Sequence, residues 1–276
     1  MTAFTRLLQP AHLKSLCTAY GLLPSKQYGQ NYLVSEGAIQ NIVAAADIHT
    51  GDTLVEVGPG FGVLTLALVE SGAAVVSFEI EKKLQPYWDT VQSEHANLRV
   101  VWGNVLHQFD AVLLPGAYKV IANLPYQITS QVIRLFLERP NPPTRMVVMV
   151  QKEVAERIVA KPGDMSLLAV SVQYFGVPKI VSKVAAGSFW PAPKVDSAIL
   201  AVTDIVVREG SEQFFRVVRA GFENKRKQLW RNLSVGFGLD KEVVQQVLKQ
   251  VTGNERIRAQ ELSIAQWKDL VARLGV

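Results

Sequence analysis

Thr53-Leu54-Val55-Glu56-Val57-Gly58-Pro59-Gly60-Phe61-Gly62 decides the fold. A short strand over 53–57 runs into a loop with three glycines, and a helical period starts at Val63. That order opens a parallel sheet with crossover helices. Glycines at such a turn let the backbone pass close to a ligand, and the following helix offers free N–H groups at its start. The glycines fall as G-x-G-x-G. A dinucleotide fingerprint would place another three positions after Gly60, where Val63 stands. The loop therefore suits an adenosyl ligand without a pyrophosphate.

Outward from this loop, helix and strand periods alternate. Helices are expected over 36–47, 63–71, 82–93, 129–138 and 152–160. Strands are expected over 53–57, 74–79, 98–102, 118–122 and 145–150, apolar on both faces as in a sheet covered by helices on each side. Two β-rich stretches, 179–184 and 197–207, are expected to form an antiparallel edge. Beyond Arg208-Glu209-Gly210-Ser211 the pattern is purely helical, which divides the chain into 1–208 and 209–276. The expected class is α/β, a mostly parallel sheet with an antiparallel edge followed by a small all-α domain.

The 276 residues are 49% hydrophobic and 19% charged, enough chain to bury a real core. No apolar run approaches the ~18 residues of a membrane helix, and the start lacks the order of a signal peptide. The single cysteine, Cys17, excludes an internal disulfide and a cysteine-cluster metal site, and the four histidines show no ligand spacing. A cytoplasmic protein with no metal and no membrane is expected. A net charge of +5 points to a polyanionic partner.

Three strand ends carry candidate chemistry. Glu79 closes the second strand about 19 positions after Gly60, where a carboxylate can accept from both hydroxyls of a ribose. The third strand ends in Gly103-Asn104, placed to read the edge of an adenine. The run Val120-Ile121-Ala122-Asn123-Leu124-Pro125-Tyr126 ends a buried strand in an amide, a proline-fixed turn and an aromatic ring. Those groups suit a flat, amine-bearing ring.

Taken in order, Gly29-Gln30-Asn31-Tyr32-Leu33, Glu56 to Gly62, Glu79, Asn123 to Tyr126, Gln151-Lys152-Glu153-Val154-Ala155-Glu156-Arg157 and Pro193-Lys194-Val195-Asp196-Ser197-Ala198 resemble the rRNA adenine N6,N6-dimethyltransferase family. Its bacterial KsgA-type branch, acting on the small subunit, is the more similar one, and the resemblance runs from about Lys26 to Ser234. It implies S-adenosylmethionine as methyl donor and a Rossmann-like methyltransferase domain ahead of a helical domain. It implies as substrate two adjacent adenosines in a hairpin near the 3′ end of 16S rRNA, in the pre-30S subunit; a monomer is expected. By the same resemblance Asn31, Leu33, Gly58, Gly60, Glu79 and Asn104 would contact the donor, and Asn123 would face both donor and target. Phe189 would be the second aromatic wall for the target base, opposite Tyr126.

An adenine amine is a poor nucleophile because its lone pair is delocalised into the ring. Acceptors at the Asn123 side chain and the Leu124 carbonyl, with Pro125 fixing the turn, would bind its hydrogens and favour a pyramidal nitrogen. Tyr126 and Phe189 would stack on the extruded base, worth about 1–3 kcal/mol per base. The cations Arg216, Arg219, Lys225, Arg226, Lys227 and Arg231, expected on helices of the second domain, would contact phosphates.

Three positions depart from the family pattern. Asn104 replaces an aspartate, the segment 161–168 is shorter and lacks an aromatic-glycine pair, and Lys225-Arg226 replaces an arginine pair. Three other readings compete: an enzyme of the Erm type acting on large-subunit rRNA or a DNA adenine methyltransferase, an RNA-binding assembly factor that has lost methyl transfer, and a nicotinamide oxidoreductase. Val63 argues against the last.

Overall fold

The computed structural model describes residues 3–22, 31–114 and 116–276. Lys26, Gly29 and Gln30, where the family resemblance begins, lie outside the described residues. In chain order the elements begin with α1 (Ala3–Leu7), α2 (Pro10–Ala19), β1 (Tyr32–Leu33), α3 (Glu36–Ala46), β2 (Thr53–Val57) and α4 (Val63–Glu70). There follow β3 (Ala74–Glu79), α5 (Gln85–Glu94), β4 (Leu98–Trp102), α6 (Val105–Gln108), β5 (Lys119–Asn123), α7 (Thr129–Leu137) and β6 (Arg145–Gln151). Next are α8 (Lys152–Ile158), α9 (Leu167–Phe175), β7 (Val177–Val184), β8 (Phe189–Trp190) and β9 (Ser197–Thr203). The chain ends in α10 (Ser211–Phe222), α11 (Leu229–Phe237), α12 (Lys241–Thr252) and α13 (Ile264–Leu274).

The main sheet runs β4-β3-β2-β5-β6-β9-β7. β2 pairs in parallel with both β3 and β5, β3 with β4 and β5 with β6, whereas β9 is antiparallel to β6. From β2 the chain winds outward to β3 and β4, then returns to place β5 on the other side of β2. That reversal opens a crevice beyond the carboxyl ends of β2 and β5, where ligands bind in such sheets.

The central strands β2, β3, β5, β6 and β9 form because their side chains are covered on both faces. Every residue of β2 is buried, and Ile39, Ile42, Leu68, Ile121 and Met149 share one core. Truncating one such residue to alanine would cost ~2–5 kcal/mol. Ser35 caps α3 by accepting from Ala38 N. The strand expected over 197–207 stops at Thr203, since Asp204 has a φ of 50° and leaves the ladder. β1 and β8, absent from the expected elements, pair antiparallel with Tyr32 opposite Trp190 and Leu33 opposite Phe189.

By contacts the chain forms two compact units, Met1–Ala155 with Lys179–Ile205 and Glu156–Pro178 with Val206–Val276. The expected division at 208/209 lies near the entry into the second unit, but residues 156–178 group with the helices. The reason is aromatic. Tyr174 of α9 stacks on Phe214 at 3.9 Å between ring centroids, and Phe175 on Phe215 at 5.7 Å. The 161–168 segment is pinned by Gln260, whose carbonyl accepts from Gly163 N and Met165 N. Ser166 then caps α9 by accepting from Ala169 N.

Candidate active site

The cleft at the crevice has about 920 Å³ of space counting its open mouth. One wall is the glycine loop. Gly58, Gly60 and Gly62 have φ of 72°, 57° and 88°, in the left-handed region that side chains disfavour. Their reasons differ. A Cβ on Gly58 would lie 3.6 Å from the Pro125 ring, one on Gly60 3.2 Å from the Tyr32 ring, and one on Gly62 2.7 Å from Trp88. Trp88 Nε1 donates to Gly60 O at 3.0 Å and Tyr87 Oη to Phe61 O at 2.7 Å. Helix α5 therefore clamps the loop from behind, and Gly62 serves that packing.

Glu79, at the end of β3, is 5% exposed. Its Oε2 accepts from Gly60 N at 3.1 Å, and its Oε1 from Ile80 N and Glu81 N, each at 2.8 Å. Burial pushes the carboxyl up, opposed by those three backbone donors. Three N–H groups leave part of a carboxylate's roughly four acceptor sites open.

Glu56 is a site residue that the sequence reasoning missed. The β2–β3 register sets it opposite Ser77, and α4 brings Thr65 over it. Ser77 Oγ and Thr65 Oγ1 both donate to Glu56 Oε2, at 2.6 and 2.7 Å. Burial pushes this carboxyl up to about 7, with the nearby Glu79 adding to the rise and the two hydroxyls opposing it. Glu56 lines the cleft, as does Tyr32. Its signal in the sequence was an acid inside an otherwise apolar strand.

The opposite wall comes from β5. Asn123, Leu124, Pro125 and Tyr126 all line the cleft, as does Phe189 of β8. Leu124 N donates to Met149 O at 3.1 Å, so the turn starts from a position still tied to β6. Tyr126 Oη and Ser197 Oγ are 2.8 Å apart, which fixes the ring by its far end. Burial raises the Tyr126 phenol, with Ser197 opposing. Asn31 and Leu33 also line the cleft, and Leu33 is held beside Phe189 by the β1–β8 pairing.

Asn104 is not among the lining residues. Its Oδ1 accepts from Leu106 N at 3.0 Å and caps α6. The cations Arg216, Arg219, Lys225, Arg226, Lys227 and Arg231 are all exposed in the helical unit. Arg216 and Arg219 lie on α10 and Arg231 on α11, but Lys225, Arg226 and Lys227 lie on the turn between them, which corrects their expected helical placement. Asn232 Nδ2 donates to the Gly221 and Asn224 carbonyls at the end of α10, at 2.6 and 3.2 Å, and so ties α11 to the turn.

Among the described residues no helix is long and apolar enough to cross a membrane. A family model described as ribosomal RNA adenine dimethylase matches residues 23–275. The chain is 41% identical over 266 residues to ribosomal RNA small subunit methyltransferase A of Dehalococcoides mccartyi, covering 94% of this chain and 91% of that protein. It is 36% identical to the protein of the same name from Lactiplantibacillus plantarum, over 97% and 96% of the two chains. Among solved structures, a dimethyladenosine transferase from Plasmodium falciparum superposes with a TM-score of 0.72 at 25% identity, over 88% of this chain and 97% of that one. The 23S rRNA methyltransferase ErmE gives 0.69 at 26%, over 88% and 99%.

Proposed function

Because the chain belongs to the ribosomal RNA adenine dimethylase family, we propose that it dimethylates the N6 amines of two adjacent adenosines in a hairpin near the 3′ end of 16S rRNA, within the pre-30S subunit and with S-adenosylmethionine as donor. The observation that carries this reading is the near contact of two walls. A Cβ on Gly58 would already touch Pro125, 3.6 Å away, and both residues line one cleft with Asn123, so a donor cradled by the glycine loop would lie beside the amide of Asn123. The small-subunit substrate rests on the relatives named for that subunit, at 36–41% identity, against 26% for ErmE.

The residues fit the donor. Gly58 and Gly60 give a backbone cradle that a Cβ would fill, and the buried Glu79 carboxylate keeps acceptor capacity for ribose hydroxyls. Asn31 and Leu33 would close the near side. The donor, when bound, supplies an electrophilic methyl on a sulfonium.

The protein's own part is placement. Asn123 Oδ1 and the Leu124 carbonyl accept the two amine hydrogens, which concentrates the lone pair on nitrogen and aims it at the donor side. Tyr126 and Phe189 hold the base plane. No strong general base is required, because the proton is lost after nitrogen has become cationic. The exposed cations of the helical unit position the RNA through phosphates.

Incubating the protein with tritiated donor and either unmethylated 30S particles, 50S particles or naked duplex DNA tests the reading. Transfer to 30S particles alone is expected. Transfer to the large-subunit RNA would replace the substrate assignment.

A further inference from the structure

The helical unit contains a second concavity, of about 800 Å³ counting its mouth, where α10, the following turn and α11 meet. Its floor is made of small residues. A Cβ on Gly236 would lie 3.2 Å from the Ala220 Cβ, so α10 and α11 come close there and nothing larger than a methyl group stands at that point. Lys227 and Arg231 line the rim and carry only donors. Arg231 is already oriented, its guanidinium carbon 5.1 Å from the centroid of the Trp230 ring.

Acceptors stand in the same recess. Glu223 lines it with a carboxylate that can only accept. Asn232, 6% exposed, commits its Nδ2 to two backbone carbonyls, which leaves Oδ1 as its acceptor. Val235, 86% exposed, stands at the edge as an apolar flank. A simple anion site needs cations alone, and an acidic peptide would meet Glu223 unfavourably. A nucleotide matches the mixture, since it has an anionic phosphate, base N–H donors and a flat face.

Resting on the reading that this protein acts on rRNA, we propose that the recess between α10 and α11 holds one unstacked ribonucleotide of the rRNA. Its phosphate lies between Lys227 and Arg231, its base lies on the Ala220–Gly236 floor, and its donor edge faces Glu223 and Asn232. The site would anchor the RNA on the helical unit by a nucleotide that is not the one methylated.

The full chain, ¹⁵N-labelled and saturated with S-adenosylhomocysteine so that the first cleft is filled, would be titrated with guanosine 5′-monophosphate, guanosine, inorganic phosphate and a short acidic peptide. The monophosphate should move the Gly236 amide and the Asn232 side-chain amide saturably. Guanosine or phosphate alone should bind at least ten-fold more weakly. Lys227→Gln and Arg231→Gln, both at exposed positions, should each weaken the monophosphate several-fold, and Glu223→Gln should weaken it while leaving phosphate binding unchanged. Equal binding of phosphate and monophosphate, stronger binding of the peptide, or an unmoved Gly236 would overturn the proposal. Binding of wild-type protein to 30S particles is measured alongside. Retained 30S binding with an unresponsive recess defeats this proposal alone, whereas lost 30S binding defeats the rRNA reading itself.

Discussion

The cleft beyond β2 and β5 and the recess between α10 and α11 differ in what holds them in shape. The cleft is built from backbone: three left-handed glycines, a carboxylate gripped by three N–H groups and a turn tied to β6. Glu56, Glu79 and Tyr126 each hold hydrogen bonds within the protein. The recess is built from exposed side chains on a turn, with one buried amide, Asn232, holding the turn in place. Placing a nitrogen for reaction demands the first kind of construction, since small errors in position cost rate. Holding a phosphate tolerates the second, because charge acts over several ångströms.

The sharpest way to break this contrast is Asn123→Ala. Methyl transfer should fall by about 10²–10³-fold while donor binding and melting temperature stay close to wild type. Single-turnover transfer and calorimetric donor titration check it, and a rate above about a tenth of wild type would remove Asn123 from its role.

Glu56 offers the next largest effect. Below 4.5, its ordinary value, the group is neutral folded and unfolded. As pH rises the unfolded chain ionises first, so stability falls until pH passes the folded value of about 7. At 1.36 kcal/mol per unit the loss is about 3 kcal/mol. Glu56→Gln should remove it. Urea unfolding of both proteins at pH 5 and pH 8 should show the variant gaining on wild type only at the higher pH.

Two glycines with similar backbone compare the units directly. Gly62 has a φ of 88° and would put a Cβ 2.7 Å from Trp88, whereas Gly210 has a φ of 70° and open space around it. Gly62→Ala should cost about 2–3 kcal/mol, from strain plus overpacking, and Gly210→Ala about 1 kcal/mol from strain alone. Equal losses would show that the clamp by α5 does not constrain the loop.

The smallest effect belongs to Asn104. Asn104→Leu should lower stability by about 1 kcal/mol through the lost cap of α6 and leave donor affinity unchanged. A parallel fall in donor affinity would show that this side chain also reaches the adenine.

Much of the sheet was legible because its central strands are buried on both faces and the strand ends carry turn chemistry. β2, β3 and β4 fall on the expected residues, since Gly58, Gly103 and the residues beyond Glu79 interrupt the pattern where the strands end. Helix α9 was not legible. Leu167–Phe175 is so evenly apolar that no helical stripe stands out, and short apolar runs do not distinguish helix from strand. Within the cleft, Glu79 and Asn123 were readable from their places at strand ends. Glu56 was not, because its place depends on the β2–β3 register, and neither was the clamp by Tyr87 and Trp88, which requires knowing where α5 packs. For Asn104 the sequence pointed to the adenine edge, whereas its amide caps α6, a local use that shows only once α6 is seen to start there.

The short pairing of β1 with β8 has a consequence in time. It joins Tyr32 to Trp190 and brings Leu33 beside Phe189, so the cleft lining comes from parts of the chain made far apart. At a synthesis rate of about 5–20 residues per second, on the order of ten seconds separate the emergence of those two strands. Throughout that interval a ribosome-bound chain can carry the glycine loop and, later, Asn123, but not the completed pocket. The cleft thus lacks part of its lining until the segment around Phe189 has been translated.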